Sequence, residues 1–144
     1  FKIPIAGWLM RLARDIELER GDSRSAGAAM EKCKERLGQR VSVMIFPEGT
    51  RSSTGELGQF KDGAFRLAIE AGVPILPLAV HGTRTALRKN DWRYGRSVAE
   101  VRVLEPVSTE GMTLEDVPEL RERVRDLIAE QVTQMSGDRE LTDA

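Results

Sequence analysis

A short β-favouring run, Val41-Ser42-Val43-Met44-Ile45, passes without a break into Phe46-Pro47-Glu48-Gly49-Thr50-Arg51-Ser52. This junction constrains the fold more than any other part of the chain. It places a carboxylate, a glycine turn, a hydroxyl and a guanidinium where a strand leaves its sheet. In α/β proteins the carboxyl ends of strands are where ligands bind. The spacing therefore predicts a strand over residues 41–46 and a ligand-facing loop directly after it.

The remaining elements follow from periodicity and punctuation. Ile5, Trp8, Leu9 and Leu12 recur at helical spacing behind Pro4, a suitable first helical residue. Trp8 reads as a core residue or, beside Arg11, as an interfacial anchor. Ile16-Glu17-Leu18 reads as a short strand that delivers Arg20, Gly21 and Asp22 to a turn. Asp22 or Ser23 then caps a helix whose apolar face is Ala26, Ala29/Met30, Cys33 and Leu37, with Gly38 as its stop. A further helix follows Phe60-Lys61-Asp62-Gly63 and is closed by Gly72, with Pro74 just beyond. Ile75 to Val80 is almost wholly apolar and suits a strand covered on both faces, although Pro77 puts it at an edge or a bulge. Residues 84–97 are basic and irregular. Val98 to Leu104 alternates, with Val101 and Val103 on one side and Arg102 on the other, and reads as a half-exposed strand. The last helix starts at Pro118 and runs through Leu120, Val124, Leu127/Ile128, Gln131/Val132 and Met135. Strand and helix alternate throughout, so the expected class is α/β: a layered fold with a mixed β-sheet flanked by helices. One domain is expected over residues 1–135, with residues 136–144 a disordered tail.

Composition narrows the function classes. With 144 residues the chain suits one core of ordinary size, and no apolar stretch is long enough to span a bilayer. It opens on Phe1 and reads as a piece of a longer polypeptide. Cys33 is the single cysteine, which excludes an internal disulfide and favours a reducing, cytoplasmic setting; its neighbours make it a buried structural thiol. The net charge of −1 conceals an asymmetry. Residues 1–40 hold nine Lys/Arg against six Asp/Glu, residues 81–104 six against two, and residues 105–144 four against eleven. Basic segments around the 46–52 run suit a phosphorylated substrate near an anionic surface. One histidine and one cysteine cannot build a zinc site, so no metal is expected. No nucleic-acid module is present and aromatics are sparse, which argues against a nucleic-acid partner.

Among the individual residues, Arg51 is the first candidate. Its planar fork of donors beside a glycine turn suits bidentate grip of a phosphate. Gly49 lets the backbone approach closely, and the Gly49 and Thr50 amides can add donors. Glu48 cannot favour a phosphate; its expected work is to hold Arg51, Arg20 or Lys61, or to accept a hydroxyl proton. Arg20 repeats the pattern of a cation before a glycine at a strand end. Lys61 stands at a helix N-terminus, where anions are already favoured. His81, the only histidine, ends the apolar strand. Five residues further on stands Ala86, so no local His-x-x-x-x-Asp arrangement exists. A structural role at the strand end is the expected reading, with pairing to Glu48 or Asp62 as the catalytic alternative.

The run 46–52 resembles, over seven consecutive residues, the signature block of the glycerolipid acyltransferase family, which includes the lysophosphatidic acid acyltransferases. Ile16 to Asp22 is similar to that family's second block, with Glu17 where an apolar or aromatic residue is usual. Phe60-Lys61-Asp62-Gly63 is similar to its Phe-Lys-x-Gly, and Val73-Pro74-Ile75-Leu76-Pro77-Leu78 to its Val-Pro-Ile-x-Pro-x. The resemblance implies transfer of a fatty acyl group from acyl-CoA or acyl carrier protein to a lysophospholipid hydroxyl, making phosphatidic acid, with no cofactor. It implies an acceptor-phosphate site of Arg20, Glu48, Gly49, Thr50, Arg51 and Lys61. It also implies work at the cytoplasmic face of a membrane. The family's catalytic Asn-His-x-x-x-x-Asp block is expected ahead of Phe1, so no catalytic residue is assigned in this chain and residues 1–144 alone are expected to be inactive. Alternative readings are a non-catalytic phosphate- or lipid-binding module and an acyltransferase for another lyso-lipid.

Overall fold

The computed structural model describes residues 4–13, 15–16, 23–50, 52, 56–83, 86 and 95–142. They fall into two compact units, Phe1–Met44 and Ile45–Ala144.

The first unit holds helices α1 (Pro4–Leu12) and α2 (Ser23–Gly38). In α1, Gly7 is buried, whereas Trp8 is 62% exposed and Leu9 and Leu12 are also exposed. Trp8 is thus not a core residue. The expected face of α2 is confirmed at Ala29 and Cys33, both buried. Its end differs in detail from expectation. Gly38 is the last helical residue, but the left-handed turn falls on Arg40 (φ 60°). Val41 N–H donates to the Arg36 carbonyl and Arg40 N–H to that of Leu37, the paired bonds of a glycine-type helix stop. A residue with a Cβ in this conformation costs about 1 kcal/mol.

The strand expected at 41–46 does not appear; of the one expected at 16–18, only residue 16 is described. Residues 17–18 lie outside the described residues. Residues 41–46 have no regular secondary structure and join no ladder among the described residues, and Val41, Met44 and Phe46 are exposed. A β-favouring run becomes a strand only when a neighbour takes up its backbone groups.

The second unit is built on one long helix. α3 (Gly63–Ala71), β1 (Leu78–His81), β2 (Glu100–Val103) and α4 (Val117–Thr142) follow in order. α3 stops at Gly72 as expected: Gly72 is left-handed (φ 61°), and Val73 N–H reaches back to the Ala68 carbonyl. The core joins Phe60, Phe65, Val107, Val117, Leu120 and Val124, with Leu127 and Ile128 packed against it. Phe60 and Phe65 stack with ring centroids 6.3 Å apart. The periodicity of the last helix is thus confirmed. α4 continues to Thr142, through residues expected to be disordered. Its late segment has strong helix formers at Arg139, Glu140 and Leu141 and a tertiary contact at Ser136.

The class is α/β, but the sheet of the described residues is two antiparallel strands, not a mixed sheet. Pro77 lies where the ladder is irregular, as expected. Ile75 bridges Val107 and Leu78 pairs with Val103, so two residues on one side face three on the other. The Pro77 carbonyl still accepts from Leu104 N–H. The strand is not covered on both faces, since Leu76 and Val80 are exposed. The alternation expected of β2 is observed, and the valine side is the open one: Val101 and Val103 are exposed and Arg102 is half-buried. Alternation shows which residues share a face but not which face is covered. α4 packs on the face that carries Ala79, fully buried, and His81. Arg102 is opposite Ala79 and therefore lies on that covered side.

A 3-10 turn, Leu114–Asp116, leads into α4. Asp116 accepts from the Thr113 N–H at 2.6 Å and from the Thr113 hydroxyl at 3.0 Å. These bonds, the backbone one first, hold its carboxyl below the usual range.

Two predictions follow from these ends. Arg40→Gly relieves the left-handed residue and raises stability by roughly 0.5–1 kcal/mol in urea titration, the gain being partly offset by glycine's own entropy. Asp116→Asn lowers the thermal midpoint at neutral pH. A depressed carboxyl contributes stability above the unfolded value and loses it as pH falls through the folded one. The midpoints of parent and variant therefore converge on acidification below about pH 4.

Candidate functional site

The loop after residue 45 is organised by its turn. Gly49 N–H bonds the Phe46 carbonyl at 3.1 Å, with Pro47 at the turn position that its ring favours. Gly49 is left-handed (φ 68°). It is needed for a second reason, because a Cβ there would stand 3.0 Å from Lys61 Nζ and 3.1 Å from Cε. Lys61 is brought to this point by its own backbone, whose N–H donates to the Pro47 carbonyl at 2.9 Å. The outcome is an exposed ammonium resting on a bare glycine Cα, beside exposed Thr50. A cation against unhindered backbone is a fitting cradle for an anion.

Glu48 makes a contact that the sequence did not signal. Its Oε2 accepts the Gly58 N–H at 2.8 Å, closing the loop between residues 48 and 58. The Gly58 carbonyl accepts from Arg125 Nε of α4 at 3.2 Å. Asp62, at the N-cap of α3, makes no side-chain cap bond; its Oδ1 accepts from Arg121 at 2.6 Å. Asp62, with Glu122 second, pushes the Arg121 guanidinium further above its already high pKa.

Of the expected site, the described residues therefore bring together Glu48, Gly49, Thr50 and Lys61. Arg20 and Arg51 lie outside the described residues. Sequence reasoning missed Gly58, Arg121 and Arg125. The last two reach partners 59 and 67 positions away, and no local pattern signals contacts at that separation.

His81 ends β1, and its Nε2 lies 3.2 Å from Ser136 Oγ of α4. The same hydroxyl donates to the Val132 carbonyl at 2.9 Å, a contact within α4 that holds the serine in place beside the imidazole. Glu48 and Asp62, the carboxylates considered as its partners, are engaged with Gly58 and Arg121. Among the described residues no three His, Cys, Asp or Glu gather as a metal site would require, and no helix is long and apolar enough to cross a membrane.

Cys33 is buried, and desolvation pushes its thiol upward. A raised, covered thiol offers little thiolate. In the folded protein it should alkylate at least tenfold more slowly than free cysteine at pH 8, with full labelling after denaturation, read by mass spectrometry.

Comparison with known proteins gives a consistent picture. Residues 1–81 match a family model described as Acyltransferase. The chain is 42% identical over 121 residues to human 1-acyl-sn-glycerol-3-phosphate acyltransferase alpha, covering 83% of this chain and 43% of that protein. It is 37% identical over 127 residues to the Saccharomyces cerevisiae 1-acyl-sn-glycerol-3-phosphate acyltransferase, covering 86% and 42%. It is 32% identical over 134 residues to the Haemophilus influenzae protein of that name, covering 92% and 55%. The chain thus spans roughly half the length of these relatives, or less. The crystal structure of the 1-acyl-sn-glycerophosphate (LPA) acyltransferase PlsC from Thermotoga maritima superposes with a TM-score of 0.79 at 30% identity, covering 94% of this chain and 53% of that one.

Proposed function

The chain belongs to the acyltransferase family, and from that premise we propose that the complete polypeptide transfers a fatty acyl group from acyl-CoA or acyl carrier protein to the free hydroxyl of 1-acyl-sn-glycerol-3-phosphate, making phosphatidic acid. The names of the relatives support this acceptor. The observation that carries the reading is the Lys61 ammonium set against Gly49 at the turn of the signature loop. In this reading Lys61, Arg51 and the Thr50 amide hold the acceptor's phosphate, and Arg20 adds a further cation; the Gly49 N–H is taken by the Phe46 carbonyl, so Gly49 contributes close approach and not a donor.

The chemistry needs such a grip. An alcohol is a weak nucleophile until a base takes its proton. Fixing the phosphate holds the glycerol hydroxyl near the thioester carbon, and binding energy from this unreacting group is spent on orientation. The work of the residues described is binding and orientation; no cofactor is required by this reading. Acceptor and product are lipids, so the reaction belongs at a membrane surface. The exposed Trp8, Leu9 and Leu12 of α1 support contact with it, and the lone Cys33 suits the cytoplasmic face.

The test is steady-state kinetics of the complete polypeptide with lysophosphatidate. Arg51→Ala and Lys61→Ala should each raise KM for the acceptor about tenfold or more while changing kcat little, since each removes a charged hydrogen bond to a group that does not react. A panel of lyso-lipids without a terminal phosphate should react poorly and be indifferent to both substitutions. Unchanged acceptor kinetics in both variants would reject the phosphate assignment.

A further inference from the structure

Gly58 is held through both of its backbone groups, by residues from opposite ends of the second unit. Its N–H donates to Glu48 Oε2 at 2.8 Å and its carbonyl accepts from Arg125 Nε at 3.2 Å. A Cβ at this position would stand 2.9 Å from Glu48 Oε2, so the carboxylate lies directly over the glycine. One turn earlier on α4, Arg121 bonds Asp62 at 2.6 Å. The helix therefore ties the segment down at residues 58 and 62, on either side of Lys61. Glu48 lies between Pro47, whose carbonyl takes the Lys61 N–H, and Gly49, on which the Lys61 ammonium rests.

We propose that Glu48 and Arg125 are positioning residues of the acceptor site: by gripping Gly58 from both sides they set the distance between the Gly49–Thr50 turn and Lys61. The proposal rests on the acceptor-phosphate reading above. It gives α4, which lies wholly beyond the residues matched by the family model, a part in acceptor binding. It also accounts for a carboxylate next to an anion site. Facing a phosphate, Glu48 would oppose binding; turned to a backbone N–H, it acts as a hydrogen-bond acceptor. Its charge is then dispensable and its acceptor oxygen is not. Arg125 also lies 3.6 Å from Asp126, a contact at the helix surface that does not involve the loop.

The experiment uses the complete polypeptide, with lysophosphatidate varied against a fixed acyl-CoA. Arg125→Met keeps the aliphatic stem but loses the donor. It should raise acceptor KM about five- to tenfold, the scale of one hydrogen bond from a charged group, with kcat within about twofold. Arg125→Lys returns a donor and should recover most of that loss. Glu48→Gln keeps an acceptor oxygen and should likewise recover most of what Glu48→Ala loses. An acceptor KM untouched by Arg125→Met, or Glu48→Gln as impaired as Glu48→Ala, overturns the proposal. A second readout is independent of turnover: amide hydrogen exchange over residues 56–60 should quicken at least tenfold in Arg125→Met and Glu48→Ala, and stay near the parent rate in the two conservative variants. If the parent protein transfers no acyl group to lysophosphatidate, the acceptor reading falls. In that case unchanged exchange overturns the grip on Gly58, and quickened exchange upholds it.

Discussion

A carboxylate half-buried beside a cationic turn must find a partner, and Glu48 finds it in the main chain. The bond from Gly58 N–H to Glu48 closes the signature loop at its base. Everything placed at the loop's mouth depends on that closure. Pro47 offers its carbonyl to Lys61, Gly49 adopts a left-handed conformation with no side chain in the way, and the lysine comes to rest on it. Removing the acceptor would leave a backbone donor without its bond and a loop without its anchor, at a cost of about 1–3 kcal/mol where the group is buried.

The other end of that anchor is α4. Its apolar positions Val117, Leu120 and Val124 join the core with Phe60 and Phe65, and each large side chain fully covered contributes about 1.5–3 kcal/mol. Its polar contacts, Arg121 to Asp62, Arg125 to Gly58 and Ser136 to His81, are individually weaker. Packing therefore places the helix, and the polar bonds select its rotation and register. The same helix decides which side of the two-stranded sheet is dry. It covers Ala79 and His81 and leaves Val80, Val101 and Val103 exposed.

Much of the architecture was legible. The apolar spacing of α2 and α4 marked their buried faces, since helical periodicity is set by the backbone and survives any tertiary context. Gly72 announced the end of α3 because its left-handed conformation is local. The reading was less successful where one residue's state depends on distant neighbours. Gly38 looked like the stop of α2, yet the left-handed residue is Arg40, two positions on. Residues 41–46 have the composition of a strand but no ladder among the described residues. The alternation of β2 separated Val101 and Val103 from Arg102 but carried no sign of which side α4 would cover. Within the site, Glu48, Gly49, Thr50 and Lys61 were named from their chemistry, and their grouping is observed. The role of Glu48 was not, because a backbone N–H leaves no trace in the sequence.

The order of residues alone pointed to the family, the buried faces of α2 and α4 and the glycine turn, all of which are encoded in runs of a few neighbours. Tertiary structure alone decided that Glu48 serves the main chain, that Arg125 reaches Gly58 from a helix 67 positions away, and that α4 lands on the alanine side of β1. The physical reason is range. Conformational preferences and periodicity act over a turn or two, whereas hydrogen-bond partners and dry faces are chosen only once the core has brought remote segments together.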